Sequence, residues 1–568
     1  MRFAQSQFQQ KEQPMSKNSA KPVNPSKVSL GNKLAFACGD IFGGGSFNII
    51  NFLFTPFLTL VVGIPMIYLT PILLLTKLWD GIIDPFIGKI TDGKQPGKFG
   101  KRRYFMVICA PLVLVGLILL FFPWNLVTSS VWVKCLFVVV VYMLYATAQS
   151  FVLIPYYSHA SEMTDDFNER NNTNAVRLAF SIISSTICVA VPGMIASPEL
   201  AAKDNGLCYV TMAAIFGVIF MLSVWITAFF SREQIVTPAV KSKFNLAGFF
   251  RPLKVKTYRQ YLGMQMCTSM AMAVMSSFFF TFCDFYLRRE SYFIVTTVEN
   301  ASRFPIATIA AAMMFVAQAF ALPFYLKVIK AKSKRFAYLT GAFIWIGVVA
   351  LMLFLPAEST APIQNANANG GISVVPTSGA PNWLLVVFGL CLGFGIGGTV
   401  FVPHSSFGDV CDVGELYFGE RTEGAFSGLT NFLNTTAQAI GLALPPLIIG
   451  LAGYQETTYQ SVEQFSANSG IALEELTNGA KGIFESFRYT VGNGNVQLLP
   501  LSQPESAQLA IKLCFIVLPI AIMILGCAIA FRYKLTKDLQ QKIVETNARD
   551  DKDSEDFQKT REELLNSL

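Results

Sequence analysis

The chain has 568 residues, a formal net charge of +8 and 53% hydrophobic residues, yet only 14% of its residues are charged. Soluble domains carry about 25% charged residues, so this composition excludes an ordinary soluble protein and indicates an integral membrane protein. The basic residues concentrate beside apolar stretches, which argues against a nucleic-acid partner.

The predicted elements begin with residues 1–31, which are polar and lack the apolar core of a signal peptide. We expect them to form a disordered cytoplasmic arm. Apolar stretches then follow, most of them close to the roughly 20 residues that a bilayer-spanning helix needs. The first six predict an N-terminal six-helix bundle within 32–230, with spans near 34–62, 66–90, 104–124, 131–157, 177–196 and 207–230.

A central cytoplasmic connection is predicted at 231–259. The second set predicts a C-terminal six-helix bundle within 260–533, with spans near 260–286, 303–326, 336–355, 382–404, 425–452 and 507–532. A charged cytoplasmic tail at 534–568 ends the chain. The sequence therefore predicts an all-α membrane protein of about twelve transmembrane helices in two bundles.

Lysine and arginine residues predict the orientation of these helices. They are dense in the connections 91–103, 231–259 and 327–335, and scarce in the long segments 356–381 and 453–506. Basic residues favour the cytoplasmic side of a membrane. Both termini are therefore expected to be cytoplasmic, and the two long segments are expected to be outer loops. The second loop has room for one short amphipathic helix.

The two halves of the chain share a pattern. A proline, an acidic stretch and a Glu-Arg pair follow the fourth span of each half, at 155–170 and again at 403–421. A basic connection also follows the second span of each half. Such duplication is typical of transporters whose halves move about a midplane binding site.

Asp80 and Asp84 lie in the second apolar span, about one helical turn apart on the same helix face. An ionised carboxylate in the bilayer core costs at least about 2–3 kcal/mol, so a pair of them indicates a function. Carboxylate oxygens suit Na⁺, and carboxylates also carry H⁺. We predict a cation site here; the alternative is a structural ion pair with Lys77 on the same face.

Three more residues are candidates for substrate binding, each with a second interpretation. Asp40 is a candidate functional carboxylate in the first span; the alternative is a helix-end cap or an interfacial carboxylate. Arg177 bonds substrate hydroxyls or neutralises the acidic loop before it. Tyr157 stacks on the apolar face of a sugar or belongs to an interfacial aromatic belt.

Charged residues near the predicted cytoplasmic face are candidates for a conformational switch. Asp92 and the basic pair Arg102 and Arg103 can form ion pairs that break when the helices move, or they can simply anchor the face. Lys77 is placed in the same group of switch residues.

Four motifs together resemble the glycoside–pentoside–hexuronide:cation symporter family, the melibiose-permease-like branch of the major facilitator superfamily. They are KLWDGIIDP at 77–85, GKRR at 100–103, IPYYS at 154–158 and GDVCDVGE at 408–415. The resemblance runs from about Asn32 to Lys534 apart from the two long loops. It implies the major facilitator superfamily fold.

The resemblance also implies roles for individual residues. Asp80 and Asp84 would bind the coupling Na⁺, H⁺ or Li⁺, with Ser150 at the position of a fourth-span hydroxyl that joins the cation site. Asp40 and Arg177 would bind sugar hydroxyls. Tyr157 falls where the family's melibiose carrier has a sugar-stacking Trp.

Two positions depart from the family pattern. Leu153 aligns with a sugar-binding aspartate of the fourth span, and Asn434-Thr435 aligns near a lysine of the eleventh span. Losing both charges puts galactoside specificity in doubt and makes a more apolar substrate plausible.

The sequence has no P-loop, no HExxH motif and no Cys/His cluster, so it supports neither ATP-driven transport nor metalloprotease chemistry. The leading hypothesis is a bacterial inner-membrane symporter, not an enzyme, that couples uptake of a glycoside or related sugar to Na⁺ or H⁺. It needs no cofactor and no metal beyond Na⁺, and its partners are a small molecule and membrane lipids. The alternatives are a carrier of a lysolipid or other amphipathic anion, and a non-transporting sensor that binds its ligand through 453–506.

Overall fold

The computed structural model describes most of the chain. The described residues are 28–95, 100, 102–163, 167–196, 204–231, 249–286, 306–354, 382–419, 423–484, 487–492, 494–500, 503–549 and 554–568. The outer loop expected at 356–381 and most of the central connection lie outside these residues.

The first predicted span is a broken helical run rather than one regular helix. Helix α1 (Leu30–Cys38) and helix α2 (Asp40–Ile49) are followed by two π-helical segments, Ile50–Phe54 and Phe57–Val61. Pro56 lies between the π segments and cannot donate a backbone hydrogen bond, which accounts for the irregular ladder there. Such π segments are frequent at functional sites.

Long helices complete the first half of the chain. They are α3 (Met66–Asp92), α4 (Arg103–Leu120), α5 (Val131–Met163), α6 (Phe167–Ala190), the short α7 (Pro192–Ile195) and α8 (Leu207–Phe230). The second half continues with α9 (Lys256–Phe285), α10 (Ile306–Ala331), α11 (Lys334–Leu351), α12 (Asn382–Phe418) and α13 (Glu423–Leu451). Within the described residues, eleven helical segments are long and apolar enough to cross a membrane.

Glycines let helices α10 and α12 approach closely. A Cβ at Gly389 would lie 2.5 Å from the carbonyl oxygen of Ala310, and one at Gly393 would overlap the carbonyl oxygen of Met314. The small residues of α12 therefore serve close helix packing.

The segment 453–506 differs from its prediction. Instead of one short helix it holds two, α14 (Val462–Ser469) and α15 (Leu473–Thr477). It also contains a four-stranded antiparallel sheet in the order β1-β4-β3-β2, with strands β1 (Thr458–Ser461), β2 (Lys481–Phe484), β3 (Phe487–Gly492) and β4 (Asn495–Pro500). The membrane-spanning part is all-α as predicted, and this small sheet is an addition to it. The sheet has its own apolar core, in which Phe465 and Val496 are fully buried.

Why these strands form is visible in the sequence around Gly494. Strands β3 and β4 alternate apolar and polar residues, and the dipeptide Asn493-Gly494 between them is a hairpin signal. Gly494 has φ +79°, which glycine adopts without strain. The expectation of one short helix in this segment did not include the hairpin.

The last transmembrane stretch consists of α16 (Glu505–Lys512), a π-helical segment (Leu513–Val517) and α17 (Leu518–Arg532). The charged tail then forms α18 (Lys537–Asn547) and α19 (Glu555–Ser567), which pack on the end of α12. Arg561 donates hydrogen bonds to the carbonyl oxygens of Leu416 and Tyr417, both at 2.8 Å. We call the side bearing α18 and α19 the tail face, and the side bearing the four strands the sheet face.

Candidate functional site

The predicted cation site forms where α3 meets α5. Ser150 of α5 donates its hydroxyl to Oδ1 of Asp84 at 2.6 Å and lies 3.4 Å from Oδ1 of Asp80. The helical spacing of the aspartates brings both carboxylates to this one hydroxyl. The structure therefore brings together all three residues predicted to bind the cation.

Lys77 belongs to the same cluster. Its Nζ lies 3.8 Å from Oδ2 of Asp80, and its side chain is only 5% exposed. It also hydrogen-bonds the hydroxyl of Tyr142 and lies 5.3 Å from the ring centre of Phe47. Among the described residues of the cluster, one lysine faces two carboxylates. If both carboxylates are ionised, one further positive charge would make the cluster neutral.

The second half of the chain reaches this cluster through Asn431 of α13. Its Nδ2 donates to Oδ2 of Asp84 at 2.6 Å. Asn431 is not predictable from the sequence, since an asparagine in a span has no distinctive signal without its partner.

A central cavity of about 1260 Å³ opens beside the carboxylates. Asp80, Asp84 and Ser150 contribute to its wall. Two kinds of side chain line it elsewhere: polar ones such as Asn48, Asn51, Gln265, Thr268, Asn434 and Gln438, and apolar ones such as Phe52, Met272, Met275, Phe279, Met314 and Phe315. A cavity of this composition and size suits a solute with polar and apolar parts.

The predicted substrate residues form a second cluster. Tyr157 lines the cavity, and the guanidinium carbon of Arg177 lies 5.1 Å from its ring centre. Asp40 starts α2, is buried, hydrogen-bonds Ser181 and interacts electrostatically with Arg177. Asp40 and Arg177 are not among the residues that line the cavity, so Tyr157 is the member that a solute would contact first.

His404 and Leu153 also line the cavity. His404 of α12 bonds through Nδ1 to the carbonyl oxygen of Val400 at 2.8 Å and is exposed. His404 therefore faces the cavity. Leu153 lies in the wall as an apolar side chain, where the family pattern has an acid.

The cavity extends towards the tail face and is closed at the sheet face. Its wall includes Arg251 and Phe418, and Arg251 lies 4.3 Å from the ring centre of Phe418. At the opposite end the hydroxyls of Thr55 and Ser277 are 3.0 Å apart and join the two halves of the chain. Among the described residues, the cavity therefore opens towards the tail face.

The sheet segment contributes to this closure. Glu456 Oε1 accepts a hydrogen bond from the backbone N–H of Met66 at 2.7 Å, and Gln497 donates to the carbonyl oxygen of Leu60 at 2.7 Å. Lys134 donates to the carbonyl oxygen of Val62, at 2.9 Å, in the same connection. Burial raises the pKa of Glu456 to about 7, although the Met66 N–H opposes the rise.

Only some of the predicted switch residues have described side chains. The side chain of Asp92 is not among the described residues. Arg103 donates to the carbonyl oxygen of Ala228 at 3.4 Å. An ion pair does occur at the matching basic connection of the second half, where Lys334 Nζ lies 2.6 Å from Oδ2 of Asp409.

The fold and site define a class of protein. The chain is a multi-pass membrane transport protein with a buried acidic cluster beside a cavity that opens to one side. It belongs to the MFS/sugar transport protein family, whose model matches residues 35–474.

Comparisons with individual proteins agree with this family. The chain is 24% identical to the uncharacterized symporter YjmB of Bacillus subtilis, over 77% of this chain and 86% of that protein. It is 23% identical to a glucuronide carrier protein homolog of Escherichia coli, over 78% and 85% respectively. It is 20% identical to the sodium-dependent lysophosphatidylcholine symporter 1 of Gallus gallus, over 76% and 80%.

Solved structures share the fold. A bacterial homologue of the human drug peptide transporters PepT1 and PepT2 superposes with a TM-score of 0.53, at 11% identity, over 91% of this chain and 99% of that one. A bacterial homologue of the lysosomal transporter Spinster, described as inward-facing, gives 0.51 at 11% identity, over 90% and 100%. The prediction of the major facilitator superfamily fold is confirmed.

Proposed function

We propose that the chain is a cation-coupled symporter that imports a glycoside or related sugar across a bacterial inner membrane. One observation carries the proposal: Asp80, Asp84 and Ser150 converge beside the central cavity, where Lys77 pairs with Asp80. The symporter names of the relatives from Bacillus subtilis and Gallus gallus support the coupling. The chain acts as a carrier and not as an enzyme, with Na⁺ or H⁺ as the coupling ion and no cofactor.

The cation would bind between the two carboxylates, with the Ser150 hydroxyl as a third oxygen. Na⁺ prefers oxygen ligands of this kind, and a proton would bind the same carboxylates. Binding drives transport only if the cation has different affinities for the two conformations. The tail face corresponds to the cytoplasmic side, since basic connections favour that side, so both termini are cytoplasmic.

The solute would bind in the cavity with its polar groups towards Tyr157. Arg177 and Asp40 position that ring and supply charge behind it. His404 contributes from the second half. An aromatic ring backed by a guanidinium and a carboxylate suits a polyhydroxyl solute, because a sugar presents both an apolar face and hydroxyls.

A second candidate substrate is a lysolipid or another amphipathic anion. It is favoured by the apolar wall around Met272, Met275 and Phe279, and by Leu153 where an acid would otherwise bind hydroxyls. The name of the Gallus gallus relative supports it. A glycoside with an apolar aglycone would contact the same wall. A competition experiment between sugars and lysolipids is therefore needed to distinguish the two candidate substrates.

Gradient-driven uptake in proteoliposomes tests the function. Wild-type protein, Asp80→Asn and Asp84→Asn are reconstituted and given labelled glycosides or lysolipids, with and without an imposed Na⁺ or H⁺ gradient. We expect accumulation by the wild type only with a gradient, and none by either variant. Accumulation that survives in both variants would contradict the assignment. Competition by sugars but not by lysolipids would identify the first candidate.

A further inference from the structure

Helices α3 and α13 come from different halves of the chain and meet at the cation cluster. Gly81, between the two aspartates, lies so close to α13 that a Cβ there would be 3.5 Å from Phe432 and 3.6 Å from Thr435. Asn431 lies one turn away from Thr435 on α13, and its amide reaches Asp84 at 2.6 Å. The turn of α3 that bears Asp80 and Asp84 is therefore in direct contact with the second half of the chain.

The two hydrogen bonds to Asp84 differ in origin. Ser150 belongs to the same half as Asp84, and α3 and α5 are also joined by the bond from Trp79 to Thr147 at 3.0 Å. Ser150 therefore moves with Asp84 when the halves rearrange. Asn431 belongs to the other half, so relative motion of the halves has to change its distance to Asp84.

The hydrogen bond from the Asn431 amide to Asp84 affects how Asp84 can bind a cation. An amide N–H donated to an ionised carboxylate places the positive end of a dipole against that oxygen, as a bound cation would. Asn431 Nδ2 and a cation therefore compete for Oδ2 of Asp84. Asn431 is exposed to the cavity, so the competition takes place on the side from which the ion would leave.

We propose that Asn431 is the positioning residue through which the second half senses the cation site, and that its bond to Asp84 promotes cation release towards the tail face. The inference rests on the proposed function. In the conformation open at the tail face, the amide satisfies Asp84 and weakens cation binding. When the halves separate at this contact, the amide leaves and Asp84 regains its affinity. The cation then binds the two conformations differently, which is what coupling requires.

The test measures cation affinity and coupling in purified protein. Wild type, Asn431→Ala and Asn431→Leu are titrated with NaCl and, separately, with H⁺, and the concentration that gives half-maximal thermal stabilisation is recorded. Both variants lack the amide donor and add no charge, and Asn431→Leu keeps a similar side-chain volume if the alanine variant folds poorly. A hydrogen bond to a charged group is strong enough that we expect half-maximal stabilisation at about tenfold lower cation concentration.

A second readout separates this role from simple packing. In proteoliposomes, the variants should lose a larger share of gradient-driven accumulation than of solute exchange without a gradient, because the ion is released slowly. Thr436→Val is the matched control, since the Thr436 hydroxyl of the same helix donates to the carbonyl oxygen of Phe432 at 2.8 Å and Thr436 is not among the described residues that line the cavity.

The outcomes are distinct. Tighter cation binding with lost accumulation in both Asn431 variants, and neither in Thr436→Val, is the expected result. If the wild type responds to a cation but both variants match it within twofold, the role of Asn431 is overturned while the proposed function stands. If the wild type responds to neither Na⁺ nor H⁺, both the role and the proposed function are overturned.

Discussion

Glu456 accepts a hydrogen bond from the backbone N–H of Met66 at 2.7 Å, which joins the sheet segment to the first residue of α3. The two residues are 390 positions apart in the chain. The contact places a carboxyl group at the start of a helix, where the helix dipole favours negative charge. The second carboxyl oxygen of Glu456 is buried and has no hydrogen-bond partner among the described residues. Opening of the sheet face would hydrate this group.

Closure of the sheet face should therefore weaken as pH rises. Burial raises the pKa of Glu456 from 4.5 to about 7. The closed arrangement then holds the proton more tightly than an opened, hydrated one. Below pH 4.5 the group is protonated in both arrangements and contributes no difference. Between pH 4.5 and about 7 the opened arrangement gains stability by deprotonating first.

Hydrogen exchange at residues 60–70 measures this effect. After correction for intrinsic exchange rates, we expect less protection at pH 8 than at pH 5 in the wild type. Glu456→Gln keeps an acceptor for Met66 but cannot titrate, so its protection should not depend on pH. Equal pH dependence in both proteins would rule out Glu456 as the titrating group.

The close approach of α10 and α12 predicts opposite effects for two glycine substitutions. Gly393→Ala places a methyl group against the carbonyl oxygen of Met314, whereas a Cβ at Gly408 meets nothing within 4 Å. Overpacking costs about 1–3 kcal/mol, while alanine in an open helical position gains roughly 0.5–1 kcal/mol over glycine. Thermal unfolding in detergent should show Gly393→Ala less stable and Gly408→Ala equal to or more stable than wild type. A Gly393→Ala protein as stable as wild type would contradict the described packing.

Lys77 and Asp80 should depend on each other for stability. Lys77 is nearly completely buried, and its ammonium group lies 3.8 Å from Asp80. Removing one member of a buried pair costs about 3–5 kcal/mol because it leaves an uncompensated charge. Lys77→Met should therefore unfold at a lower temperature, and adding Asp80→Asn should restore part of the loss. Additive losses in the double variant would show that the two side chains do not interact.

How far the sequence predicts the site depends on how local each signal is. Asp80, Asp84 and Ser150 belong to recognisable motifs on two helices, so their convergence could be expected. Asn431 could not be found this way, because its role follows from a contact between segments 347 positions apart. The placement of Asp40 and Arg177 behind Tyr157, and not in the cavity wall, likewise depends on packing between helices.

The sheet segment shows a different limit of prediction. Gln497 lies in the fourth strand and bonds the carbonyl oxygen of Leu60, so a segment expected to be an outer loop takes part in closing the cavity. The hairpin at Gly494 was readable from its turn residues, but the contact with the other half was not. Long-range pairings of this kind have no local signal in a single sequence.

The account depends most on the claim that the Asp80 and Asp84 carboxylates bind the coupling cation. The direct measurement is the cation-dependent thermal stabilisation of the purified protein, compared with the Asp80→Asn/Asp84→Asn double variant. At a cation concentration of about 100 times its dissociation constant, the wild type should gain about 2.7 kcal/mol of stability, and the double variant should gain none. A double variant that is stabilised as strongly as the wild type would place the cation elsewhere and contradict the account.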